Sequence, residues 1–323
     1  MFTLPELHSA HALVQTVLRP TAEIDWPLLA EATGADVWVK HENHLPTGAF
    51  KVRGGIVYVD EIAHSGRRTN GLISATRGNH GQSIALAATR AGIPVTILVP
   101  HGNSVEKNAA MRAYGARLIE HGQDFDEARV EAARLAQAEG LDFVPSFHPA
   151  LVKGVATYAL ELFTRVPNID TVYAPIGMGS GICGIIKTRD LLGLKTKIVG
   201  VVADQAPAVA LSFEAKRPVP TNRAPTFADG MATRDPQQAA LDILLGGAER
   251  IVRVTEDEIA EAIRLVYRAT HNSAEGAGAA PLAALMQERA RMAGKRVAVI
   301  LSGGNIDRER FVQVLSGETP RAA

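Results

Sequence analysis

The sequence predicts an α/β protein with two lobes, in which open, mostly parallel sheets are flanked by helices. Short apolar and β-branched runs alternate along the chain with amphipathic stretches of helical length, which is the pattern of repeated βαβ units. Glycine clusters follow several of these runs, where open α/β sheets bind their ligands. The chain has 323 residues, enough for two domains, and no flexible linker divides it. We therefore expect the chain to cross between the lobes more than once, with an active site between them.

The strand-like runs are compact and rich in valine, isoleucine and leucine, as expected for strands covered on both faces. They lie at residues 37–40, 71–74, 95–99, 117–120, 171–174, 198–202 and 297–301.

Helical periodicity fills much of the remaining sequence. It is found at residues 51–62, 80–91, 123–139, 182–192 and 281–292. Thr255 and Glu258 form a capping box that opens a further helix, whose residues Ile259, Ile263 and Val266 share one face. Residues 216–235 are rich in Pro, Thr and Arg without a clear period, and we predict a long ordered loop there.

Composition excludes several classes of protein. Lys plus Arg and Asp plus Glu both number 34, and no basic tract stands out, so neither nucleic acid nor an anionic membrane is an expected partner. No apolar run reaches the roughly 18 residues of a membrane span, and the first 20 residues do not resemble a secretory signal. Cys183 is the only cysteine, which excludes an internal disulfide and fits a reducing compartment. We expect a cytoplasmic protein.

The glycine cluster at residues 177–184 follows the strand at 171–174 and opens a helix. Its backbone N–H groups and the helix dipole suit an anion. Gly179, Gly181 and Gly184 also have the spacing of a dinucleotide site, and Asp204 follows at the distance of a ribose-binding acid. By itself the cluster is compatible with a dinucleotide, another phosphate ligand or a structural turn.

Three further clusters each have a functional and an ordinary interpretation. Lys51 follows the apolar pair Ala49 and Phe50 at a helix start, where a desolvated amine can form a Schiff base, although most such lysines are simply solvated. Residues 74–81 form a polar loop suited to a small carboxylate, or an ordinary turn. Residues 302–305 allow a flat ligand to approach closely, with Ser302 as a neutral donor, or form a plain turn.

Together, in this order and spacing, the clusters resemble the fold-type II pyridoxal-phosphate enzymes, whose fold is like that of the tryptophan synthase β chain. The serine/threonine dehydratases and serine racemases are the most similar branch. The matching segments are residues 47–54 (Thr-Gly-Ala-Phe-Lys-Val-Arg-Gly), 78–82, 177–184, 228–230, 275–279 and 302–307. The resemblance implies a large cofactor-binding domain, residues 1–66 and 150–323, and a small domain, residues 67–149, that closes over the substrate.

The resemblance also implies a role for each motif residue. Lys51 would carry the cofactor as a Schiff base and act as the general base, and Ser302 would meet the pyridine nitrogen. The remaining cofactor contacts would be made by Phe50 near the ring, Asn79 at the 3′-oxygen, the phosphate-binding residues Gly177, Met178, Gly179, Ser180 and Gly181, and the motif residues Glu275 and Gly303. The substrate carboxylate would be bound by Ser74, Thr76, Arg77, Gly78 and His80.

The reaction implied is β-elimination of a β-hydroxy amino acid such as L-threonine or L-serine, which releases a 2-oxo acid and ammonia. A serine at the ring nitrogen does not keep that nitrogen protonated, which favours prompt loss of a β-leaving group. The racemases have a serine where this chain has Arg77, so racemisation by that route is not expected. Arg77 instead suits a second anionic group or a larger substrate, or it points outward into solvent.

Other functions are also compatible with the sequence. One is a specialised dehydratase for 3-hydroxyaspartate, phenylserine or a hydroxyectoine-derived amino acid, and another is an amino-acid racemase. An NAD oxidoreductase and a non-catalytic ligand-binding module belong to different classes.

The resemblance extends to a cation and to assembly. Many members of the family bind a divalent or monovalent cation near the cofactor phosphate, and Asp204 is the one acid that the matching stretch retains, with Ala210 where some relatives have a second carboxylate. Asp204 is therefore the single candidate ligand, and no other metal site is predicted. Relatives are commonly dimers or tetramers, so a homo-oligomer is expected.

Overall fold

The computed structural model describes residues 1–66 and 68–321, and within them the strands form two separate sheets. The strands are β1 (Glu23–Asp25), β2 (Asp36–His41), β3 (Leu72–Ala75), β4 (Val95–Val99), β5 (Arg117–Glu120), β6 (Asp142–Phe143), β7 (Thr171–Pro175), β8 (Lys197–Ala203), β9 (Arg250–Val254) and β10 (Arg296–Leu301). In the described residues the larger sheet has six strands in the order β1-β2-β10-β7-β8-β9, and the smaller has four in the order β5-β4-β3-β6. All neighbours are parallel except β1 and β2, which confirms the α/β class with mostly parallel sheets.

Helices surround both sheets. Their bounds in the described chain are α1 (Leu4–Gln15), α2 (Pro27–Thr33), α3 (Lys51–Ala63), α4 (Asn79–Arg90), α5 (Val105–Ala113), α6 (Phe125–Glu139), α7 (Pro149–Arg165), α8 (Ser180–Leu191), α9 (Ala208–Ala215), α10 (Gln238–Gly247), α11 (Glu256–Thr270), α12 (Gly276–Gln287), α13 (Arg289–Met292) and α14 (Arg308–Leu315). None of the described helices is long and apolar enough to cross a membrane.

The larger sheet is sandwiched between two helical layers. Successive strand residues point to opposite faces, and Val199 and Val201 accordingly pack in the core that contains α11 and α12. Ile198 and Val202, at the alternate positions, pack in a different core against α7 and α8. Because both faces of the sheet are covered, the strand sequences are continuously apolar and do not alternate between apolar and polar residues.

Helix α3 joins the two sheets. Its residues Val52 and Ile56 share a core with Leu72 of the smaller sheet and Ile84 of α4, while α3 also packs against α7 beside the larger sheet. The first residue of α3 is Lys51, so this lysine lies where the two halves of the molecule meet.

Several elements differ from those predicted. The helix expected at 281–292 begins at Gly276, contains Pro281, ends at Gln287 and is followed by the short α13. The pattern did not predict β1, β6 or β9, which are short or only partly buried and so lack a strong apolar signal. The capping box at Thr255 and Glu258 is present. Residues 216–235 form the expected loop, in which the described secondary structure is one 3₁₀ turn, Asp229–Met231.

Candidate active site

A cavity of about 560 Å³ lies between the two sheets, at the carboxyl ends of their strands. Ala75 at the end of β3, Pro175 at the end of β7 and Ser302 just after β10 all line it. Parallel strands bring the loops that follow them to one edge of the sheet, which is where open α/β folds bind ligands. The cavity therefore collects residues that are far apart in the sequence.

Lys51 reaches into this cavity from the first turn of α3. Its Nζ lies 3.0 Å from Ser180 Oγ, at the start of α8. Burial lowers the pKa of Lys51 to about 8, and the nearby carboxylate of Glu275 opposes this shift. An amine with this pKa is partly unprotonated near neutral pH and can act as a nucleophile or as a base.

A buried ionic network lies beneath the start of α3. Arg53 is fully buried, and its guanidinium contacts Glu42 at 2.8 Å and Glu161 at 2.8 Å. Burial alone would lower the pKa of Arg53, but the two carboxylates outweigh it and raise the pKa. Since Glu42 follows β2 and Glu161 lies on α7, the network ties the first turn of α3 to both elements. It therefore fixes where the Lys51 side chain emerges.

The turn between β7 and α8 is built for an anion. Gly179 caps α8 with a φ of 96°, a left-handed conformation that favours glycine. A Cβ on Gly177 would lie 2.1 Å from the carbonyl oxygen of Gly230, so the backbone there tolerates no side chain. Gly177, Met178, Gly179, Ser180 and Gly181 all line the cavity. The free N–H groups at the start of α8 suit a phosphate.

The position of Asp204, rather than the glycines, argues against a dinucleotide at this turn. A Cβ on Gly184 would meet the backbone of Ala156 at 3.1 Å, so the third glycine allows close packing of α8 against α7, a role that it also has in dinucleotide sites. Asp204 does not line the cavity, and its carboxylate accepts a hydrogen bond from Gln205 at 3.1 Å.

The loop between β3 and α4 forms the opposite wall. Thr76 Oγ1 accepts hydrogen bonds from the backbone N–H groups of Gly78 at 2.9 Å and Gly81 at 3.3 Å, which closes the turn. Gly78 has a φ of 155°, at the edge of the region that glycine favours, and a Cβ there would lie 2.3 Å from Cδ of Lys107. Burial lowers the pKa of His80 to about 3, and its buried Nε2 has no partner within the described chain. A neutral imidazole here can donate to a carboxylate.

Two residues predicted to contact ligands lie outside the cavity lining. The hydroxyl of Ser74 donates to the carbonyl oxygen of Val144 at 2.9 Å, because Ser74 is still inside strand β3 and points away from the loop. The backbone of Gly303 pairs with Ala49 in an isolated bridge and accepts a hydrogen bond from the N–H of Glu275. Both residues support the walls of the cavity rather than line it.

A polar cluster at the edge of the cavity contains residues whose role the sequence did not reveal. Asn79 Nδ2 donates to Glu275 Oε1 at 2.6 Å, and Asn79 Oδ1 accepts from Asn305 Nδ2 at 2.8 Å. Lys107 lies 3.2 Å from Glu275 and 3.4 Å from Asp229. Asp229 and Asn305 stand in recognised motifs, but no spacing in the sequence singled out Lys107.

The lining of the cavity fits pyridoxal phosphate. A phosphate-binding turn, an amine with a depressed pKa and the polar side chains of Asn79 and Ser302 surround one space. A Cβ added to Gly181 would lie 3.3 Å from the Phe50 ring, so the phosphate-binding turn packs closely against this ring. The unpartnered Nε2 of His80 shows that the lining has polar groups left for a ligand.

The cation expected near Asp204 stays a prediction. Among the described residues, no three His, Cys, Asp or Glu side chains come close enough together to hold a metal ion. Asp204 directly follows β8, and Ala210, at the position where some relatives have a second carboxylate, is buried in α9.

The chain is similar to known enzymes along most of its length. It is 34% identical over 310 residues to an L-threonine ammonia-lyase of Thermotoga maritima, an alignment that covers 95% of this chain and 76% of that relative. The processed threonine deaminase isoform 2 of Solanum lycopersicum superposes with a TM-score of 0.88 at 28% identity, over 98% of this chain and 95% of the other. A pyridoxal 5′-phosphate-dependent aspartate racemase superposes with a TM-score of 0.90 at 26% identity, over 96% and 97% of the two chains.

The family match agrees with the chemistry of the cavity. Residues 14–303 match the family described as pyridoxal-phosphate dependent enzyme, and this span contains Lys51, the phosphate-binding turn and Ser302. The match selects pyridoxal phosphate rather than NAD as the cofactor. The chain belongs to the family of pyridoxal-phosphate dependent enzymes.

Proposed function

We propose that this enzyme is an ammonia-lyase that eliminates the β-hydroxyl of L-threonine or L-serine and releases a 2-oxo acid and ammonia. The observation that carries the proposal is the position of Lys51, whose amine lies between the phosphate-binding turn and the loop at residues 75–80. The similarity to an L-threonine ammonia-lyase over nearly the whole chain supports L-threonine as the first substrate to test.

Specific residues would hold the cofactor. Lys51 would bind it covalently, residues 177–181 would bind its phosphate through backbone N–H groups, and Asn79 and Ser302 would contact its ring. When bound, pyridoxal phosphate supplies an electron sink that stabilises negative charge at the substrate Cα. Ser302 is buried and uncharged, so it contributes no carboxylate that would keep the ring nitrogen protonated. A serine at this position favours rapid loss of a leaving group over a long-lived carbanion.

The substrate would be oriented by the loop at the end of β3. Its carboxylate would lie against Thr76, Gly78 and His80, all of which line the cavity. The Thr76 oxygen already accepts two backbone hydrogen bonds, so its hydroxyl hydrogen is free to donate. Because His80 is neutral at physiological pH, it binds by hydrogen bonding rather than by charge.

Lys51 would also move the proton that starts the reaction. Its unprotonated Nζ would take the proton from the substrate Cα, and a pKa near the working pH suits this task. The β-hydroxyl then leaves with a proton as water. One water is taken up later when the amine departs as ammonia, so the net products of L-threonine are 2-oxobutanoate and ammonia.

A second candidate substrate class is a β-hydroxy amino acid with an additional anionic group. Arg77 lines the cavity within the loop at residues 75–80, and within the described chain its guanidinium has no ion pair or hydrogen bond. A free guanidinium can bind a second carboxylate with two hydrogen bonds. Threo-3-hydroxyaspartate carries such a group, whereas threonine does not.

The test is a substrate panel on the holoenzyme and on Arg77→Ala. L-threonine, L-serine, threo-3-hydroxyaspartate and phenylserine are supplied, and release of 2-oxo acid and formation of D-amino acid are both measured. We expect 2-oxo acid from L-threonine or L-serine, and no 2-oxo acid from Lys51→Ala. If Arg77 selects a second anion, Arg77→Ala lowers kcat/KM for threo-3-hydroxyaspartate by about tenfold or more and spares threonine.

Three outcomes of the panel would contradict these proposals. If Arg77→Ala changes kcat/KM equally for threonine and threo-3-hydroxyaspartate, Arg77 does not select a second anionic group. D-amino acid formed faster than 2-oxo acid would indicate a racemase. Cofactor binding without turnover of any substrate would indicate a non-catalytic binding module.

We further propose the domain division and the assembly expected from the sequence. Residues 1–66 and 150–323 would form the large domain and 67–149 the small one, with residue 67 outside the described residues. The larger sheet draws its strands from the first part and the smaller sheet from the second, which supports this division. We also propose a cytoplasmic homo-oligomer, a dimer or a tetramer, which light scattering would test. Tyr267, Val312 and Leu315 are exposed apolar side chains that such an assembly could bury.

A further inference from the structure

Lys107 is a buried lysine that reaches from the smaller half of the molecule to the larger. It lies in the first turn of α5, and its side chain is 7% exposed. Its Nζ contacts Glu275 Oε2 at 3.2 Å and Asp229 Oδ2 at 3.4 Å. Glu275 directly precedes α12, and Asp229 begins the 3₁₀ turn of the long loop. Burial by itself would lower the pKa of Lys107, but the two carboxylates outweigh it and raise the pKa. The lysine is therefore charged at this site.

The contact continues from Glu275 to Asn79. Glu275 uses its two oxygens for two different partners, since Oε2 faces Lys107 and Oε1 accepts from Asn79 Nδ2 at 2.6 Å. Asn305 Nδ2 donates to Asn79 Oδ1 and to the carbonyl oxygen of Thr47, both at 2.8 Å. The Asn79 amide is thus held from both ends in one orientation. One hydrogen of Nδ2 remains free to donate to a ligand.

We propose that Lys107 is a positioning residue for the cofactor: by pairing with Glu275 it fixes the orientation of Asn79, and so links the docking of α5 to cofactor binding. Lys107 acts here through Glu275 and Asn79, not by contacting the cofactor itself. The proposal deepens the assignment of Asn79 as a cofactor contact and rests on that assignment. It does not depend on which amino acid is the substrate.

Electrostatics explains why the charge of Lys107 matters. Without it, Glu275 and Asp229 would be two neighbouring carboxylates in a buried site, with Arg310 reaching only the far oxygen of Asp229 at 3.8 Å. Breaking a buried ion pair on one side leaves an uncompensated charge, and a carboxylate in that position takes up a proton. A protonated Glu275 can donate as well as accept, so Asn79 would no longer be held in one orientation.

The test compares Lys107→Met, which removes the charge, with Lys107→Arg, which keeps it. Lys197→Met is the matched control, because Lys197 forms an ion pair with Glu249 on the surface, where its side chain is 53% exposed. Each apoprotein is titrated with pyridoxal phosphate to obtain its dissociation constant. The visible spectrum of each holoprotein is then recorded across a pH series.

We expect Lys107→Met to raise the dissociation constant by about 10- to 100-fold, the effect typical of removing groups that orient the direct contacts of a site. The pH dependence of its visible spectrum shifts as well, because the protonation of Glu275 changes. Lys107→Arg restores most of both properties, and Lys197→Met matches the wild type. A wild-type dissociation constant and spectrum in Lys107→Met would overturn the proposal. A change confined to the KM for L-threonine would also overturn it, since Lys107 would then act on the substrate.

A double-mutant cycle tests whether the effect passes through Asn79. Asn79→Ala and Lys107→Met are measured singly and together for cofactor binding. If Lys107 acts through Asn79, the double variant loses no more affinity than the worse single variant, whereas an additive loss would overturn the inference. Thermal unfolding of the apoproteins checks that each variant folds, and Lys107→Gln replaces Lys107→Met if that variant does not. Failure to turn over L-threonine would defeat the proposed substrate without changing these cofactor measurements.

Discussion

At the scale of single residues, Lys51 shows how a motif position becomes a reactive group. Its neighbours in the sequence place it at a helix start, which by itself describes an ordinary solvated lysine. Burial lowers its pKa to about 8 and outweighs the nearby carboxylate of Glu275, which by itself would raise the pKa. The reactivity therefore depends on residues that lie more than a hundred positions away.

The lowered pKa predicts the pH dependence of cofactor loading. Only the unprotonated amine attacks an aldehyde, so the rate at which the apoprotein binds pyridoxal phosphate should rise with pH up to about 8 and then level off. Stopped-flow absorbance measures this rate. Nα-acetyl-lysine, with an ordinary pKa of about 10.4, is the control and should keep accelerating over the same range. Parallel pH profiles for the two amines would show that the pKa of Lys51 is not lowered.

Other site residues differ in how far the sequence revealed them. Asn79 and Ser302 stand in recognisable motifs, and both line the cavity as expected. Ser74 stands in the same motif as Thr76, yet its hydroxyl is engaged with Val144. Neighbours in a strand alternate in direction, and the motif does not show where the strand ends.

At the scale of elements, the turn between β7 and α8 depends on glycine for a reason of packing. The close approach of Gly177 to Gly230 joins this turn to the loop that carries Asp229. Gly246, inside α10, has open space where a Cβ would be, whereas Gly177 lies in a tightly packed turn outside any helix. The two positions form a matched pair.

Substituting this pair by alanine separates packing from helix propensity. Gly177→Ala should lower the free energy of unfolding by about 1–3 kcal/mol, because the backbone must shift to admit the Cβ, and it should weaken pyridoxal phosphate binding. Gly246→Ala should be neutral or stabilise by up to about 1 kcal/mol, since alanine favours a helix. Denaturant unfolding of the apoproteins and cofactor titration measure both effects. Equal free energies of unfolding for the two variants would show that the turn at Gly177 can shift to admit a Cβ without loss of stability.

Elements with strong apolar patterns were predicted close to their observed bounds, and weaker ones were not. Strands β4 and β10 lie within one residue of the predicted bounds because their apolar and β-branched residues form compact runs. In strand β9, at the edge of the larger sheet, Arg250 and Arg253 interrupt the apolar residues, so no continuous run marks the strand. Pro281 was expected to open a helix but lies within α12, where buried tertiary packing stabilises the surrounding turns.

At the scale of the whole molecule, ion pairs of Lys107 and of Arg234 connect the halves on either side of the cavity. Lys107 is buried, whereas Arg234 pairs with Asp124 at 2.8 Å and with Asp126 at 3.3 Å at the cavity mouth. Both Arg234 and Asp124 are more than a third exposed. Exposed pairs contribute less than about 1 kcal/mol, so the Arg234 ion pairs are expected to restrain motion more than they stabilise the fold.

Because the Arg234 ion pairs are exposed, Arg234→Ala should affect local motion more than stability. Its Tm should fall by less than about 4 °C, while amide hydrogen exchange should rise at the start of α6 and in the long loop near residue 234. Exchange monitored by mass spectrometry and a thermal scan provide the two measurements. Arg134→Ala, which removes an ion pair within the surface of α6, is the control. Unchanged exchange at both segments would mean that the pair does not restrain the cavity mouth.

The sequence by itself determined the class of the fold and the central motifs of the site, because both depend on local patterns. Apolar runs predict strands, glycines mark turns at their ends, and six ordered motifs indicate the family that the match over residues 14–303 establishes. Only the tertiary structure decided which side chains meet. Lys107, Glu275 and Asn79 form one cluster because the two halves pack against each other, and the pKa of Lys51 is lowered because that packing excludes water around it.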